Sequence, residues 1–338
     1  MNLALSIIII NYKSAHHVLN CVESVYRETS KYTFEIIVVD NDSQDGSETE
    51  ILSKYPEVIW IQTGYNAGFA RANNEGIRLA KGEYVLLLNS DTIVVESALD
   101  KTINLFKQMP DAVGCGVQLL NPDGSHQISG AHFVKGGLNL LLPLPYLGRF
   151  VRYLGYTLKT RVPSVQQVTD KVEVDWIVGA FLMVKKEVLE KSGLLDEDFF
   201  MYAEEIEWCS RLRKHGKLYL FEEPKVIHLG GGTSGDYYAT EENENGKNLW
   251  NKKARQIIIS QMLRIRKQYG IAWFLIIFAF FIIEIPVFII GLLVEKIFKL
   301  SKSRFKWGDV FGYLSNVGCL MKFFFKILQK KKFFYKVY

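Results

Sequence analysis

Cysteine is scarce in this chain: Cys21, Cys115, Cys209 and Cys319 are the four in 338 residues, widely spaced and without a CxxC pair. That excludes a disulfide scaffold and a zinc finger and points to a reducing compartment. A GxxxxGK[ST] loop is missing, which disfavours a P-loop NTPase, and no GxGxxG follows a strand. The opening MNLALSIIIINYK has no basic residue before its apolar run and no small-residue cleavage site after it. It therefore reads as a first buried strand rather than a secretion signal. Internal repeats and low-complexity tracts are absent.

What is present fits a folded enzyme. Hydrophobic residues make up 49% and charged residues 23%, which is ordinary for a globular chain, and the length suits one large catalytic domain with an appendage. The net charge of +5 is unevenly distributed. From Lys296 onward eleven Lys and Arg face the single acid Asp309, so the tail carries +10 and the preceding residues −5. A basic tail rich in aromatic and apolar residues suits an anionic membrane surface better than nucleic acid, and DNA binding is not expected.

Periodicity organises the first hundred residues. Leu3 to Ile10, Phe34 to Val39 and Tyr84 to Leu88 are short apolar runs of the kind buried on both faces of a sheet. Ser14 to Glu28 and Ala70 to Ala80 between them have helical spacing. This βαβαβ order predicts right-handed crossovers and a mainly parallel sheet, with ligands at the carboxyl ends of its strands. Further strands are expected at Ala112 to Leu119 and Glu173 to Val184, and Gly136 to Tyr156, rich in Leu, Pro and Gly, reads as a variable loop. Trp250 to Tyr269 has the pattern of a basic amphipathic helix.

Polar clusters follow the apolar runs. EIIVVDNDSQDGS sets Asp40, Asn41, Asp42, Ser43 and Asp45 after a strand, where they can meet a nucleobase edge or a ribose, or make a turn with a helix cap. In TGYNAGFARANNEGIRLAKGEYVLLLNSD, Asn66 and Gly68 form a polar turn and Arg71 can face a phosphate. Its last strand ends in Asn89, Ser90 and Asp91, a turn sequence that also suits a hard cation bridging a diphosphate. Glu204, Glu205 and Glu207 open a helix, where the dipole favours them and where mutual repulsion raises a carboxylate toward general-base range. His228 stands beside Gly230 to Gly232, where a backbone can approach a phosphate.

Eight segments occur in order over roughly residues 1 to 270: SIIIINYK, IIVVDNDSQDGS, YNAGFARANNEGI, YVLLLNSDTIV, WIVGAFLMVKKEV, GLLDEDFFMYAEEIEWCSRLRKHG, HLGGGTS and RIRKQYG. Together they resemble the family 2 inverting glycosyltransferases of the GT-A fold, most closely the rhamnosyltransferase-like branch. The resemblance implies an α/β fold with a Rossmann-like, mainly parallel central sheet flanked by helices. Joined to the hydropathy and charge of the C-terminal part, it gives a catalytic domain over 1–245, a basic connecting helix over 246–270 and a hydrophobic and amphipathic helical, membrane-associated region with a basic tail over 271–338. Asn11, Asp40 and Asn41 would line the base and ribose pocket, while Asn66, Arg71 and Asn74 hold the nucleotide. Asn89 and Ser90 would complete the donor site, Asn89 standing where the family's acid motif usually begins with Asp. Asp91 and His228 would bind a divalent metal, Mg²⁺ or Mn²⁺. Trp176, Gly179 and Ala180 would line the sugar and acceptor pocket. Glu205, second of the Glu204–Glu205 pair, would be the catalytic base, a Glu where the family has Asp, with Glu204 and Glu207 raising its pKa.

The partners implied are a nucleotide-diphosphate sugar, dTDP-rhamnose for the matching branch and a UDP-hexose or galactofuranose donor as the alternative, and a saccharide or lipid-linked acceptor in cell-surface polysaccharide synthesis. A catalytically silent membrane adaptor of the same fold is the competing reading, against which the intact acid and His positions argue. A nucleotidyltransferase would need a Gly-rich basic loop near the N-terminus, where this chain has Asn11, Tyr12 and Lys13. Ile271 to Val294 is long enough to cross a bilayer, but export of the basic tail opposes the retention of Lys and Arg inside. A break at Pro286 beside Glu284 would give a re-entrant hairpin on the cytoplasmic face of the membrane. Beyond it Val310, Leu314, Val317, Met321, Phe324 and Leu328 are expected to share a lipid-facing stripe. The alternative is that these helices pack on the catalytic domain or pair between subunits of a homo-oligomer.

Overall fold

The computed structural model describes residues 3–157, 163–230, 249–298 and 305–332. Gly231 and Gly232, the boundary expected at residue 245 and the basic residues of 299–304 and 333–338 lie outside the described residues. The chain divides into two compact units. Met1–His132, Pro163–Phe200 and Glu204–Tyr237 form the first; Phe133–Val162, Met201–Ala203 and Tyr238–Tyr338 form the second.

In the first unit β1 (Leu5–Asn11), α1 (Ala15–Glu28), β2 (Phe34–Asp40), α2 (Ser47–Lys54), β3 (Ile59–Gln62), α3 (Gly68–Leu79) and β4 (Tyr84–Leu88) alternate; β1, α1, β2, α3 and β4 stand where the periodicity predicts, whereas the short α2 and the half-buried edge strand β3 are additions to it. These four strands pair in parallel in the order β3-β2-β1-β4. Their Ile, Val and Leu side chains form a core that α1 closes with Val18, Cys21, Val22 and Val25. There follow β5 (Thr92–Val94), α4 (Ala98–Lys107), β6 (Ala112–Leu120) and β7 (Gly130–Ala131). After α5 (Leu147–Thr157), which belongs to the second unit, come β8 (Ser164–Val165), β9 (Lys171–Val174), β10 (Trp176–Ile177) and β11 (Phe181–Lys185). Helices α6 (Lys186–Ser192) and α7 (Glu204–Leu212) then lead to β12 (Lys217–His228).

Beyond β4 the sheet becomes mixed and continues β11-β6-β12-β5, with β9 also on β12. β11 runs antiparallel to both β4 and β6, whereas β12 runs parallel to β6. A small antiparallel sheet holds β10, β7 and β8. The single strand expected over Glu173 to Val184 is thus three. The Asp175 N–H leaves the main sheet to donate to the Ala131 carbonyl at 2.9 Å, and a turn closes with the Phe181 N–H on the Val178 carbonyl at 3.3 Å.

The second unit corrects three readings. Gly136 to Tyr156 is not a loop but a 3₁₀ turn over Lys135–Leu141 followed by α5. Gly136 makes this possible: it sits at φ 66°, and a Cβ there would lie 2.1 Å from the Trp273 ring. Helix α8 (Lys252–Gln268) is started by Asn251, whose side chain accepts the Ala254 N–H at 2.7 Å. Helix α9 (Ile271–Ile297) then runs unbroken for 27 residues, about 40 Å. The break expected at Pro286 is absent because the helix stays anchored along one side, where Phe274, Ile277, Phe281, Glu284, Phe288 and Leu292 are buried. Glu284 has a structural task there. Its two carboxylate oxygens accept the N–H groups of Tyr146 at 2.7 Å and Leu147 at 3.0 Å, capping the first turn of α5.

Helix α10 (Trp307–Leu328) buries Val310, Tyr313, Val317, Leu320, Phe323 and Ile327, so that of the stripe expected to face lipid Val310 and Val317 are buried, Leu314, Phe324 and Leu328 are half-buried and Met321 is exposed. Two polar groups turn it. The Tyr313 hydroxyl donates to the Phe281 carbonyl at 2.9 Å, and the Asn316 amide donates to the carbonyls of Leu249 and Asn251, both at 2.9 Å. On α9, Ile276, Ile283, Ile290 and Ile297 recur every seven residues as an exposed apolar line. Both helices are long and apolar enough to cross a membrane.

Candidate active site

Parallel pairing brings the ends of β1 and β2 into register, Asn11 opposite Asp40. Both are buried. The Asn11 amide donates to Asp40 at 2.6 Å and to the Ser43 hydroxyl at 3.1 Å, and its carbonyl accepts from Ser14. Asp40 also accepts the Ser43 hydroxyl, the Ser43 N–H at 2.9 Å and the Gln62 amide at 2.8 Å. Four donors match the acceptor capacity of a carboxylate, so Asp40 fixes the shape of this strand end. Asn41 braces the next loop: it accepts the Ala67 N–H at 2.9 Å and donates to the Gly68 carbonyl at 3.1 Å and to Asn66 at 3.3 Å. Gly68, at φ 80°, allows close approach to residue 200, since a Cβ would stand 2.2 Å from the Phe200 carbonyl oxygen.

The second cluster stands where β4 and β12 end. The Asn89 N–H donates to the Ala180 carbonyl at 3.0 Å, and its own carbonyl accepts from the Thr92 backbone and hydroxyl. Cys21 lies beneath this turn, its thiol pushed up to about 12 mainly by burial. The turn presents Asp91, and antiparallel pairing of β5 with β12 sets His228 opposite Thr92. Asp91 Oδ1 and His228 Nε2 therefore meet at 3.4 Å, far apart as they are in the chain. Both side chains are largely buried. Behind the imidazole stands Gln127, its Oε1 2.9 Å from His228 Nδ1 and its amide nitrogen 2.7 Å from the His228 carbonyl.

The sugar-pocket residues separate. Gly179 lies against Glu205, since a Cβ there would be 3.6 Å from the Glu205 Cγ and 3.8 Å from the Phe69 ring. Ala180 is buried beside Asn89, and Trp176 lies in the small sheet opposite Ala131. Glu204 is buried at the start of α7. Glu207, expected to raise the pKa of Glu205, is instead paired with Arg211 at 2.8 Å, and that guanidinium also binds the carbonyls of Ser192 and Leu194. The Glu207 charge is balanced locally by that guanidinium. Arg71 donates to the Glu197 carbonyl at 3.0 Å. Asn74 is buried and bound to the backbone of Leu195 and to Glu197, a tether for the 195–197 segment.

A cation fits here only as a shared ligand. Among the described residues no group of three or more His, Cys, Asp or Glu side chains is arranged to hold a metal. Asp91 and His228 are close enough to touch one ion, and a small hard cation held by one or two side chains takes its remaining ligands from phosphate and water. Gln62 and Gln127 are residues of these clusters that sequence reasoning passed over, since they lie in no recognisable motif; Ser43 was already legible as part of the DNDS run.

The glycosyl transferase family 2 model matches residues 6–191 of the chain. An N-acetylglucosaminyl-diphospho-decaprenol L-rhamnosyltransferase of Mycobacterium tuberculosis is 25% identical over 246 residues, 68% of this chain and 78% of that protein. The dTDP-rhamnosyl transferase RfbF of Shigella flexneri is 25% identical, covering 69% of this chain and 72% of its own length. The low-salt glycan biosynthesis hexosyltransferase Agl10 of Haloferax volcanii is 30% identical, covering 62% of each chain. Among solved structures, GalNAc-T7 with UDP, GalNAc and Mn²⁺ superposes with a TM-score of 0.52 at 15% identity, over 80% of this chain and 56% of that one, a likeness of GT-A fold. With more than half its length matched by the family model, this chain belongs to glycosyltransferase family 2.

Proposed function

We propose that the chain transfers a sugar, rhamnose from dTDP-rhamnose, to a lipid-linked saccharide with inversion at the anomeric carbon. The observation that carries the reading is the meeting of Asp91 and His228 at 3.4 Å at the carboxyl end of the sheet. Support for the sugar comes from two relatives, the Mycobacterium tuberculosis and Shigella flexneri proteins, both named as rhamnosyltransferases. Asp91 and His228 would hold a divalent cation, which when bound supplies charge neutralisation for a departing diphosphate. Glu205 accepts the proton of the acceptor hydroxyl as that oxygen bonds to the anomeric carbon. The bond from that carbon to the diphosphate oxygen breaks, and its electron pair leaves with the nucleotide. Gly179 keeps the space beside Glu205 open, because any side chain there would enter it.

The second unit is read as the membrane-contacting part, held at the cytoplasmic face where nucleotide sugars are available. The apolar line of α9 would face lipid. Helix α5 would lie at the interface, with Phe150, Tyr153 and Leu154 exposed beside Arg149 and Arg152. From Ala131 to Thr169 the sequence contains no acidic residue, as suits contact with anionic headgroups. A thermal-shift panel of nucleotide sugars with Mn²⁺ tests the donor, since a ligand bound only by the folded state raises the melting temperature. dTDP-rhamnose should give the largest shift, abolished by chelator; a larger shift with a UDP-hexose overturns the choice of donor.

A further inference from the structure

We infer that Gln127 is a positioning residue that holds His228 in its Nδ1–H tautomer and so presents a bare Nε2 toward Asp91. The inference rests on the cation site proposed above and is carried by hydrogen bonds whose direction can be worked out. The His228 main-chain carbonyl can only accept, so the Gln127 atom 2.7 Å from it must be the amide nitrogen. The same nitrogen donates to the Asn121 side-chain oxygen at 2.7 Å, and Asn121 is oriented in turn by donating its own amide to the Ser125 hydroxyl at 2.8 Å. Both interactions turn Gln127 Oε1 to the ring, 2.9 Å from Nδ1. An amide oxygen can only accept. Nδ1 must therefore carry the proton.

A neutral ring with its proton on Nδ1 has a lone pair on Nε2, and that atom faces a carboxylate oxygen at 3.4 Å. Two acceptors at this distance repel unless a positive charge lies between them; a proton on Nε2 supplies it when no metal is bound, and a divalent cation bound there takes that proton's place while Gln127 keeps Nδ1–H fixed. The opposite tautomer would put a proton where the metal belongs. Gln127 resists that change from a fixed backbone: its N–H donates to the Leu119 carbonyl at 2.9 Å, and its carbonyl accepts from the Gln118 amide at 3.3 Å.

Two measurements on the full-length protein in detergent test this. In ¹⁵N-histidine-labelled protein with saturating Mg²⁺, long-range proton–nitrogen spectra should show His228, assigned by the cross-peak lost in His228→Gln, with the proton on Nδ1 and none on Nε2. Mn²⁺ alone, titrated by the loss of its free-ion electron paramagnetic signal, should bind Gln127→Leu about 10- to 100-fold more weakly than wild type. Gln127→Glu keeps an acceptor at Nδ1 but loses the donor to the His228 carbonyl and Asn121, so it should bind Mn²⁺ more weakly than wild type yet more tightly than Gln127→Leu, an order that a packing defect would not give. Wild-type Mn²⁺ affinity in the Leu variant, or a proton on Nε2 in the Mg²⁺-saturated native protein, would overturn the role of Gln127 while leaving the cation site standing. Wild-type protein that binds no Mn²⁺ would overturn the cation site and this inference together.

Discussion

The two units treat buried polar groups in opposite ways. The first gathers them: Asn11, Asp40, Asn41, Ser43, Ser90 and Asp91 are all buried at the carboxyl ends of neighbouring strands. Each is surrounded by loops that have left the sheet, where backbone and side-chain donors are available. Along α9 and α10 the second disperses them. Glu284 caps one helix and Asn316 ties another to a loop, while the exposed face of α9 from Ile271 to Val294 is wholly apolar. Concentrated polarity makes a pocket able to take a charged ligand; isolated polarity makes joints between helices whose outer surface need not meet water.

Substitutions separate the two designs. The largest effect is expected from Ile283→Asp with Ile290→Asp, because each charge placed centrally in an inserted helix costs about 2.5–3.5 kcal/mol. Such a chain should be released from membranes by carbonate extraction that retains the wild type, with donor binding intact. Glu205→Gln should reduce transfer by about two to four orders of magnitude while leaving donor binding and membrane retention unchanged. If Glu204→Gln abolishes transfer and Glu205→Gln does not, the base is Glu204. Asp40→Asn leaves Ser43 and Gln62 donors without a matching acceptor and should destabilise the first unit by about 2–3 kcal/mol in denaturant melts. Glu284→Ala, the smallest change, removes the cap of α5 at about 1–2 kcal/mol. Faster hydrogen exchange confined to the first turn of α5 is its signature.

Legibility in the sequence follows the same division. Strands β1, β2 and β4 and the order of the motifs could be read because parallel strands buried on both faces are continuous apolar runs and their polar ends are local, whereas the short, half-exposed edge strand β3 has no such run. Asp91 and His228 were recognisable from their motifs, although only the pairing of β5 with β12 brings them together. The division of residues 173–184 could not be read, since the Ala131 carbonyl that draws Asp175 away comes from a distant strand. Gln127 was hidden for a similar reason: its partners are a turn six residues back and the end of the last strand. The continuity of α9 through Pro286 and the true face of α10 depend on packing that a single helix pattern does not contain.

The cap on α5 also sets an order of events during synthesis. Tyr146 and its acceptor Glu284 are 138 residues apart, so at about 5–20 residues per second the ribosome takes roughly 7–28 s to make the carboxylate that starts the helix. Eleven residues are too few for an isolated helix to be stable in water, and α5 therefore acquires its structure only after α9 has been made. The first four strands of the sheet, whose pairings are completed by Leu88, have no such wait. The nascent chain thus pairs the first four strands of its sheet well before the last helices are translated, and α5 is among the last segments to take shape.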